Sequence, residues 1–429
     1  MQRRHYGTLA AVAALSMAFT LTGCGAGSGS GNDVTLKLVA ADYGSGEANT
    51  SQKYWDDLAA AFEKKNPGIS VEVDVRSWKD VDRDVAEMVA NDQAPDMAQI
   101  GAYADFAAED RLYRTDELLP IPTQANFLPL LNQAGEVDRV QYGMPFAAST
   151  RLLFFNKKLF ADAGLQPPKT WEDIRAAAAK LKADGVTYPF ALPLGTEESQ
   201  AETMMWMLSG GGGYRDAVNS EYDIDSAANV ETFTWLRDKL VKPGLTGPTA
   251  PGHLDRQAAF EAFTKGEVGM LNGHPTLMEV AEKAGVDFGM VPLPSPDGAA
   301  TSSMGVADWM MAFKQNGHRE EIGRFLQFVY RDENVLAFSD AYDILPVTVT
   351  ASTEMESDAK HSKLKPFLEE LPTSELYPVG KTSWAKVSKS VKANIGKAVT
   401  ENGDPEAVLS GIAKEAAEAE AAEAATSAK

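Results

Sequence analysis

Two alternating apolar runs flank an amphipathic helix near the start of the chain, and this pattern restricts the fold more than any other feature. Val34, Leu36 and Leu38 point one way and Thr35 and Lys37 the other, the period-two pattern of a half-buried strand. Trp55, Leu58, Ala59 and Phe62 then recur at helical spacing, and Asn66-Pro67-Gly68 ends the helix. A second alternating run sets Val71, Val73 and Val75 against Glu72, Asp74 and Arg76. Strand, helix and strand within about forty residues make a βαβ unit, and a βαβ unit implies a mostly parallel sheet covered by helices.

The theme continues along the 429 residues, a length that accommodates two packed domains. Leu152 to Phe155 reads as a short apolar strand. Thr170-Trp171-Glu172-Asp173 opens a helix, with Thr170 as N-cap and an acid three residues on. Ile174, Ala177, Ala178 and Leu181 form its inner face. Phe288 to Leu293 is another strand, and Ile322, Phe325, Leu326 and Val329 are again helix-spaced. No internal repeat is visible. Residues 414–429 are nearly all Ala, Glu and Lys, which suits a helical or frayed, solvated tail.

The N-terminus carries an export signal. Arg3 and Arg4 precede an apolar run from Leu9 to Leu21, too short to span a bilayer, which takes roughly 20 apolar residues, but right for a signal-peptide core. The run ends in Leu21-Thr22-Gly23-Cys24, which resembles the lipobox of bacterial lipoproteins. That resemblance implies removal of residues 1–23, acylation of Cys24 and anchoring to the cell membrane. Residues 24–33 then form a Gly/Ser-rich tether.

Several function classes are disfavoured. A formal charge of −21 repels phosphate backbones and argues against nucleic acid as a partner. One cysteine in the chain excludes intramolecular disulfides and multi-cysteine metal sites. The five histidines show no metal-ligand spacing. Walker, Rossmann, zincin and nucleophile-elbow motifs are all missing. Gly210 to Gly213 is followed by Tyr214 and Arg215 rather than the Lys and Ser/Thr of a phosphate cradle. Neither a cofactor nor an enzymatic reaction is indicated.

At Gly143-Met144-Pro145-Phe146-Ala147-Ala148-Ser149-Thr150-Arg151, continuing through Leu152–Phe160 to Lys169-Thr170-Trp171-Glu172-Asp173-Ile174, the chain resembles the central signature of family 1 extracellular solute-binding proteins. These are the sugar-capturing lipoproteins of ABC importers. Ala94-Pro95-Asp96, Phe263 to Gly273, Gly305 to Phe313, Leu345-Pro346-Val347 and the Trp384 region follow in the family's order. The resemblance covers roughly residues 34–415. It implies an α/β, two-lobe periplasmic-binding-protein-like fold with three hinge crossovers and a central ligand cleft. The crossovers would fall near Ala147–Arg151, Ser303–Trp309 and Leu345–Val347. The N-terminal lobe would be 34–147 plus 309–345 and the C-terminal lobe 151–303 plus 347–415, with 416–429 as tail.

A sugar presents C–H faces that stack on aromatic rings and hydroxyls that need planar polar partners. The resemblance puts such groups at strand ends and crossovers. They are Asp42 and Tyr43 after the first strand, Tyr103 after Ala94-Pro95-Asp96, and Arg151 at the first crossover. Further candidates are Glu198, Gln200, Glu202 and Trp206 in the Glu197–Trp206 stretch, and Asp308 with Trp309 at the second crossover. Trp384 is expected as a stacking ring. Trp55, Trp171 and Trp235 read as core, and Trp78 fits either role. Many relatives carry a tryptophan within two positions of Asn272-Gly273. This chain has His274-Pro275, which makes His274 a candidate and weakens any inference to maltodextrins.

The expectation is a monomeric, lipid-anchored receptor that captures a carbohydrate outside the cytoplasm and passes it to the transmembrane subunits of an ABC permease. A polyol, glycerol phosphate or a polyamine on the same fold is the alternative. A secreted glycosidase, which would need paired carboxylates across a sugar bond, is the more distant one.

Overall fold

The computed structural model describes residues 33–44, 50–216, 221–299 and 302–427. The export signal, Cys24 and the tether up to residue 32 lie outside the described residues.

Among the described residues eleven strands form in chain order: β1 Val34–Ala41, β2 Ile69–Arg76, β3 Met97–Ile100, β4 Glu136–Val137, β5 Val140–Gln141, β6 Met144–Thr150, β7 Leu152–Asn156, β8 Tyr188–Ala191, β9 Val268–Gly273, β10 Phe288–Val291 and β11 Gly305–Ala312. The expected βαβ unit is present. β1 runs parallel to β2, and the helix Ser51–Lys65 between them buries Trp55, Leu58, Ala59 and Phe62. β2 is an edge strand, so Val73 and Val75 are only half-covered.

The first sheet has the order β2-β1-β3-β11-β6. β3 is parallel to β1, and β11 runs antiparallel to both β3 and β6. The second sheet has the order β10-β7-β9-β8. β4 and β5 make a small separate hairpin. The helix Trp171–Ala183 on the second sheet is closed by the expected capping box between Thr170 and Asp173.

A single residue, Arg151, separates β6 on the first sheet from β7 on the second. Two further segments meet the chain there. The Ser303 hydroxyl donates to the Arg151 carbonyl at 2.9 Å. Glu375 N–H donates to the Ser303 carbonyl, and Gly305 N–H donates back to the Glu375 carbonyl, both at 2.8 Å. Segments of chain at 151, 303 and 375 therefore meet.

The expected crossover at Leu345–Val347 lies against the first one. Leu345 exchanges both backbone hydrogen bonds with Ala148 on β6, and the Val347 carbonyl accepts from Leu128 N–H. That segment extends the first sheet's hydrogen bonding. The helices Val349–Ser357 and Lys365–Glu370 follow; Lys363 pairs with Glu282 of the second-lobe helix Thr276–Lys283, Phe367 packs against Phe154 of β7, and the Thr150 hydroxyl donates to the Phe367 carbonyl at 2.9 Å.

The C-terminal segment is also more integrated than a solvated tail. The helix Pro405–Ser427 buries Leu409, Ile412, Ala416 and Ala419, and all but Ala419 belong to one core cluster with Val387 and Val391 of the helix Trp384–Asn394. Glu420 pairs with Lys381.

Candidate functional site

A cleft of about 1620 Å³ lies where the two sheets meet. One wall comes from the loops after β2 and β3, the C-terminal ends of parallel strands, where an open α/β sheet offers a crevice. It presents Trp78, Lys79, Asp82, Gly101 and Tyr103, with Asp308 of β11 beneath. The other wall presents Arg151, Glu197, Glu198, Gln200, Arg256 and His274, and the C-terminal segment adds Tyr377, Lys381, Trp384 and Lys392.

Asp308 owes its position to strand alternation. Successive residues of a strand face opposite sides. Asp308 faces the cleft, so Trp309 is sent into the first-lobe core, where it is fully buried. Its ring lies 5.3 Å from that of Tyr103, and a Cβ on Gly143 would come within 3.0 Å of both rings. The two adjacent candidates therefore part company, and Trp309 is a packing residue rather than a cleft residue. Tyr43 reaches Asp308 from behind. Its hydroxyl donates to Asp308 Oδ2 at 2.7 Å and accepts from Gln99 Nε2 at 2.9 Å. Burial, together with Asp82 and Glu198 nearby, pushes the Asp308 carboxyl up to about 7, although Tyr43 and Arg151 oppose the shift.

Asp82 sits on the first turn of the helix Val81–Ala90 and accepts the Gly101 N–H at 3.0 Å. Its side chain is exposed to solvent, yet desolvation by the surrounding protein raises its proton affinity. Trp78 is 36% exposed, its edge set against the Tyr43 ring at 5.4 Å.

The second-lobe wall is built on a chain of ion pairs. Arg151 donates to Glu198 Oε1 at 2.9 Å and to the Ser149 hydroxyl at 3.1 Å. Glu198 also pairs with Arg256, and Arg256 donates to Glu197 Oε1 at 2.6 Å. A guanidinium can only donate, so its 3.4 Å approach makes His274 Nε2 the acceptor, and Nδ1–H then donates to the Thr276 hydroxyl at 2.8 Å. Burial, then the charges of Arg151 and Arg256, hold the His274 pKa well below its usual value, so the ring is neutral.

Gln200 lines the cleft, and its buried Oε1 has no hydrogen-bond partner among the described residues. Glu202 and Trp206, two and six residues on along the same helix, turn the other way. The Trp206 indole and the Asn272 amide both donate to Glu202 Oε1 at 2.8 Å. Trp206 packs edge-on to Trp171 and Phe190. These two candidates form a buried structural pair behind the wall. Trp384 borders the cleft but is buried as part of the second core cluster, stacked on Tyr377 at 5.0 Å and 28°.

The remaining candidates divide. Asp42 is a turn residue. It accepts Gly44 and Ser51 N–H at 2.9 and 2.8 Å and the Thr50 hydroxyl at 3.0 Å. Tyr103 borders the cleft but is fully buried, its hydroxyl donating to the Ala134 carbonyl at 2.5 Å. Arg151, Gln200, His274, Asp308 and Trp384 line the cleft, and Glu198 joins them. Sequence reasoning missed Asp82, Arg256 and Tyr377. Nothing in the spacing around Arg256 marks it, because its partner Glu197 is 59 residues away.

Residues 46–335 match the profile of the bacterial extracellular solute-binding proteins. The chain belongs to that family. A Brucella abortus binding protein is 24% identical over 392 residues, covering 89% of this chain and 92% of its own. An sn-glycerol-3-phosphate-binding periplasmic protein of Brucella melitensis is 26% identical over 268 residues, 56% of this chain and 57% of the relative. The fold is that of the two-lobe solute-binding proteins. An ABC transporter solute-binding protein from Thermotoga lettingae, solved with α-D-tagatose, superposes at TM-score 0.76 and 19% identity, over 90% of this chain and 99% of the other. The cyclic α-maltosyl-1,6-maltose binding protein of Arthrobacter globiformis superposes at 0.75 and 18% identity, over 90% and 98%. Family and relatives are binding proteins, and the family is extracytoplasmic. Among the described residues no helix is long and apolar enough to cross a membrane, and no cluster of metal-ligating side chains occurs.

Proposed function

We propose that this protein captures a carbohydrate in the cleft between its lobes and delivers it to the transmembrane subunits of an ABC permease, acting as a monomer tethered to the cell membrane through acylated Cys24. The supporting observation is the cleft's composition. An exposed indole, Trp78, and the half-buried Tyr377 ring backed by the buried Trp384 offer apolar surface, while Gln200, beside the Tyr377 hydroxyl, has a buried Oε1 without a hydrogen-bond partner among the described residues. An unpaired buried acceptor costs about 1–3 kcal/mol, and a ligand hydroxyl would recover that. A ligand touching both walls stabilises the closed arrangement by its differential affinity.

The glycerol-phosphate-binding relative favours a second reading, an anionic ester. The cleft argues against it. Arg151 and Arg256, the cations deepest in the second-lobe wall, are already committed to Glu197 and Glu198. A phosphate held by that pair would have to displace a carboxylate from each, whereas Lys79 and Lys392 also line the cleft and form no ion pair among the described residues.

The test is a thermal-shift screen of mono- and oligosaccharides alongside sn-glycerol 3-phosphate, because a ligand specific to the folded state raises the melting temperature by mass action. A saturable shift with a sugar and none with the phosphate supports the reading. The reverse result overturns it.

A further inference from the structure

One corner of the cleft has a chemistry that a neutral sugar does not use fully. Trp78 and Asp82 converge on Gly101. A Cβ there would meet Asp82 Oδ2 at 3.4 Å and the Trp78 ring at 3.8 Å. Trp78 in turn rests on Tyr43, whose hydroxyl holds Asp308 Oδ2. Asp308 Oδ1 takes no hydrogen bond among the described residues. An accessible indole face is thereby placed beside two carboxylates, all three lining the same cleft.

The charges that reach this corner do not cancel. Asp308 feels Asp82 and Glu198 as like charges and Arg151 as the opposing one. Arg151 is already bonded to Glu198 at 2.9 Å. Lys392 reaches Asp82, but more weakly than the desolvation and the backbone N–H groups acting on that carboxyl. No side-chain cation forms an ion pair with Asp82 or Asp308 among the described residues. A half-buried carboxylate, Asp308, and an exposed one, Asp82, with an aromatic ring beside them make a site for a cation that donates hydrogen bonds. The ring quadrupole attracts positive charge, and charge-assisted hydrogen bonds to carboxylate are about twice as strong as neutral ones.

We propose that the Trp78–Asp82–Asp308 corner seats a protonated amino group, so that the captured carbohydrate is an amino sugar rather than a neutral sugar or a phosphate ester. The proposal rests on the carbohydrate reading and specifies its substrate class. Its recognition elements divide between the walls: Gln200 and the Tyr377–Trp384 stack take the ring, and the corner takes the ammonium.

The experiment is calorimetric titration of the full mature chain with matched pairs. These are glucose and glucosamine, galactose and galactosamine, and diacetylchitobiose with its fully deacetylated dimer, with sn-glycerol 3-phosphate and spermidine as controls. The amine of at least one pair should bind about tenfold or more tightly than its neutral partner. Asp308→Asn, which keeps an acceptor for Tyr43, should bring that ratio to near one without lowering the melting temperature. Asp82→Asn should reduce it as well. Equal affinity within every pair that binds overturns the proposal and leaves the carbohydrate reading standing. Binding of spermidine with no sugar bound supports the cationic corner and overturns the carbohydrate reading. Binding of the phosphate ester alone, or silence across the panel, overturns both.

Discussion

Arg151, the single residue between the two sheets, is bonded to Glu198 of the second-lobe wall at 2.9 Å and is nearly buried. Its backbone carbonyl at the same time holds Ser303 of the next crossing. One residue thus ties the hinge to the cleft. The guanidinium is positioned by protein carboxylate, so it supports the empty protein as well as facing the ligand.

Arg151→Ala should therefore lower the stability of the ligand-free protein, and not only its affinity. Breaking a buried pair costs several kcal/mol when a charge is left alone. Glu198 retains Arg256, so the expected loss is smaller, about 2 kcal/mol. Denaturant unfolding of the empty variant checks this. An unchanged midpoint would show that the pair contributes nothing to the apo state.

Glu202 should make stability depend on pH. Burial pushes its carboxyl up to about 7 from an ordinary 4.5, against the Trp206 and Asn272 donors. The folded state then binds more protons than the unfolded state between those values, and stability falls as pH rises through that window. Glu202→Gln removes the charge and keeps an acceptor for both donors. It should stabilise the protein at pH 8, by up to about 3 kcal/mol, and have little effect at pH 4. Melting curves at the two pH values decide it, and equal shifts at both would refute the assignment.

The tryptophans should separate. Trp309→Ala should cost about 3–5 kcal/mol of stability, as removal of a core aromatic does. Trp78→Ala should change stability by less than about 1 kcal/mol and weaken ligand binding by roughly tenfold. Unfolding and titration of both variants give the comparison. A stable Trp309→Ala protein with lost binding would return that residue to the site.

Cys24→Ser should leave the chain unprocessed or released from membranes. Fractionation and intact mass are the measurements, and a mature-length variant that still partitions with membranes would contradict acylation.

Much of the fold was legible because it is local. The βαβ start, the Thr170 capping box and the Arg319–Val329 helix follow from period and cap chemistry within a few residues. The site was legible in part. Asp308, Arg151, Gln200 and His274 reach the cleft, whereas Trp206, Glu202 and Trp309 are drawn into the core and Trp384 stands at the border of both. Residue type and position along the chain were the same for both groups. What differed was the face of the helix or strand on which each stood.

The sequence by itself determined an α/β chain and family membership, and led to the expectation of an export signal with a cysteine where a lipobox has one, because period, order and motif are properties of the chain read in line. Tertiary structure decided the rest. Strand alternation separated Asp308 from Trp309, and Leu345 paired with Ala148 of β6. Arg256 met Glu197 across 59 residues, and Trp78, Asp82 and Asp308 came to line one cleft. Each is a relation between segments distant in sequence, and only packing the two sheets against their shared crossing brings such segments within hydrogen-bonding distance.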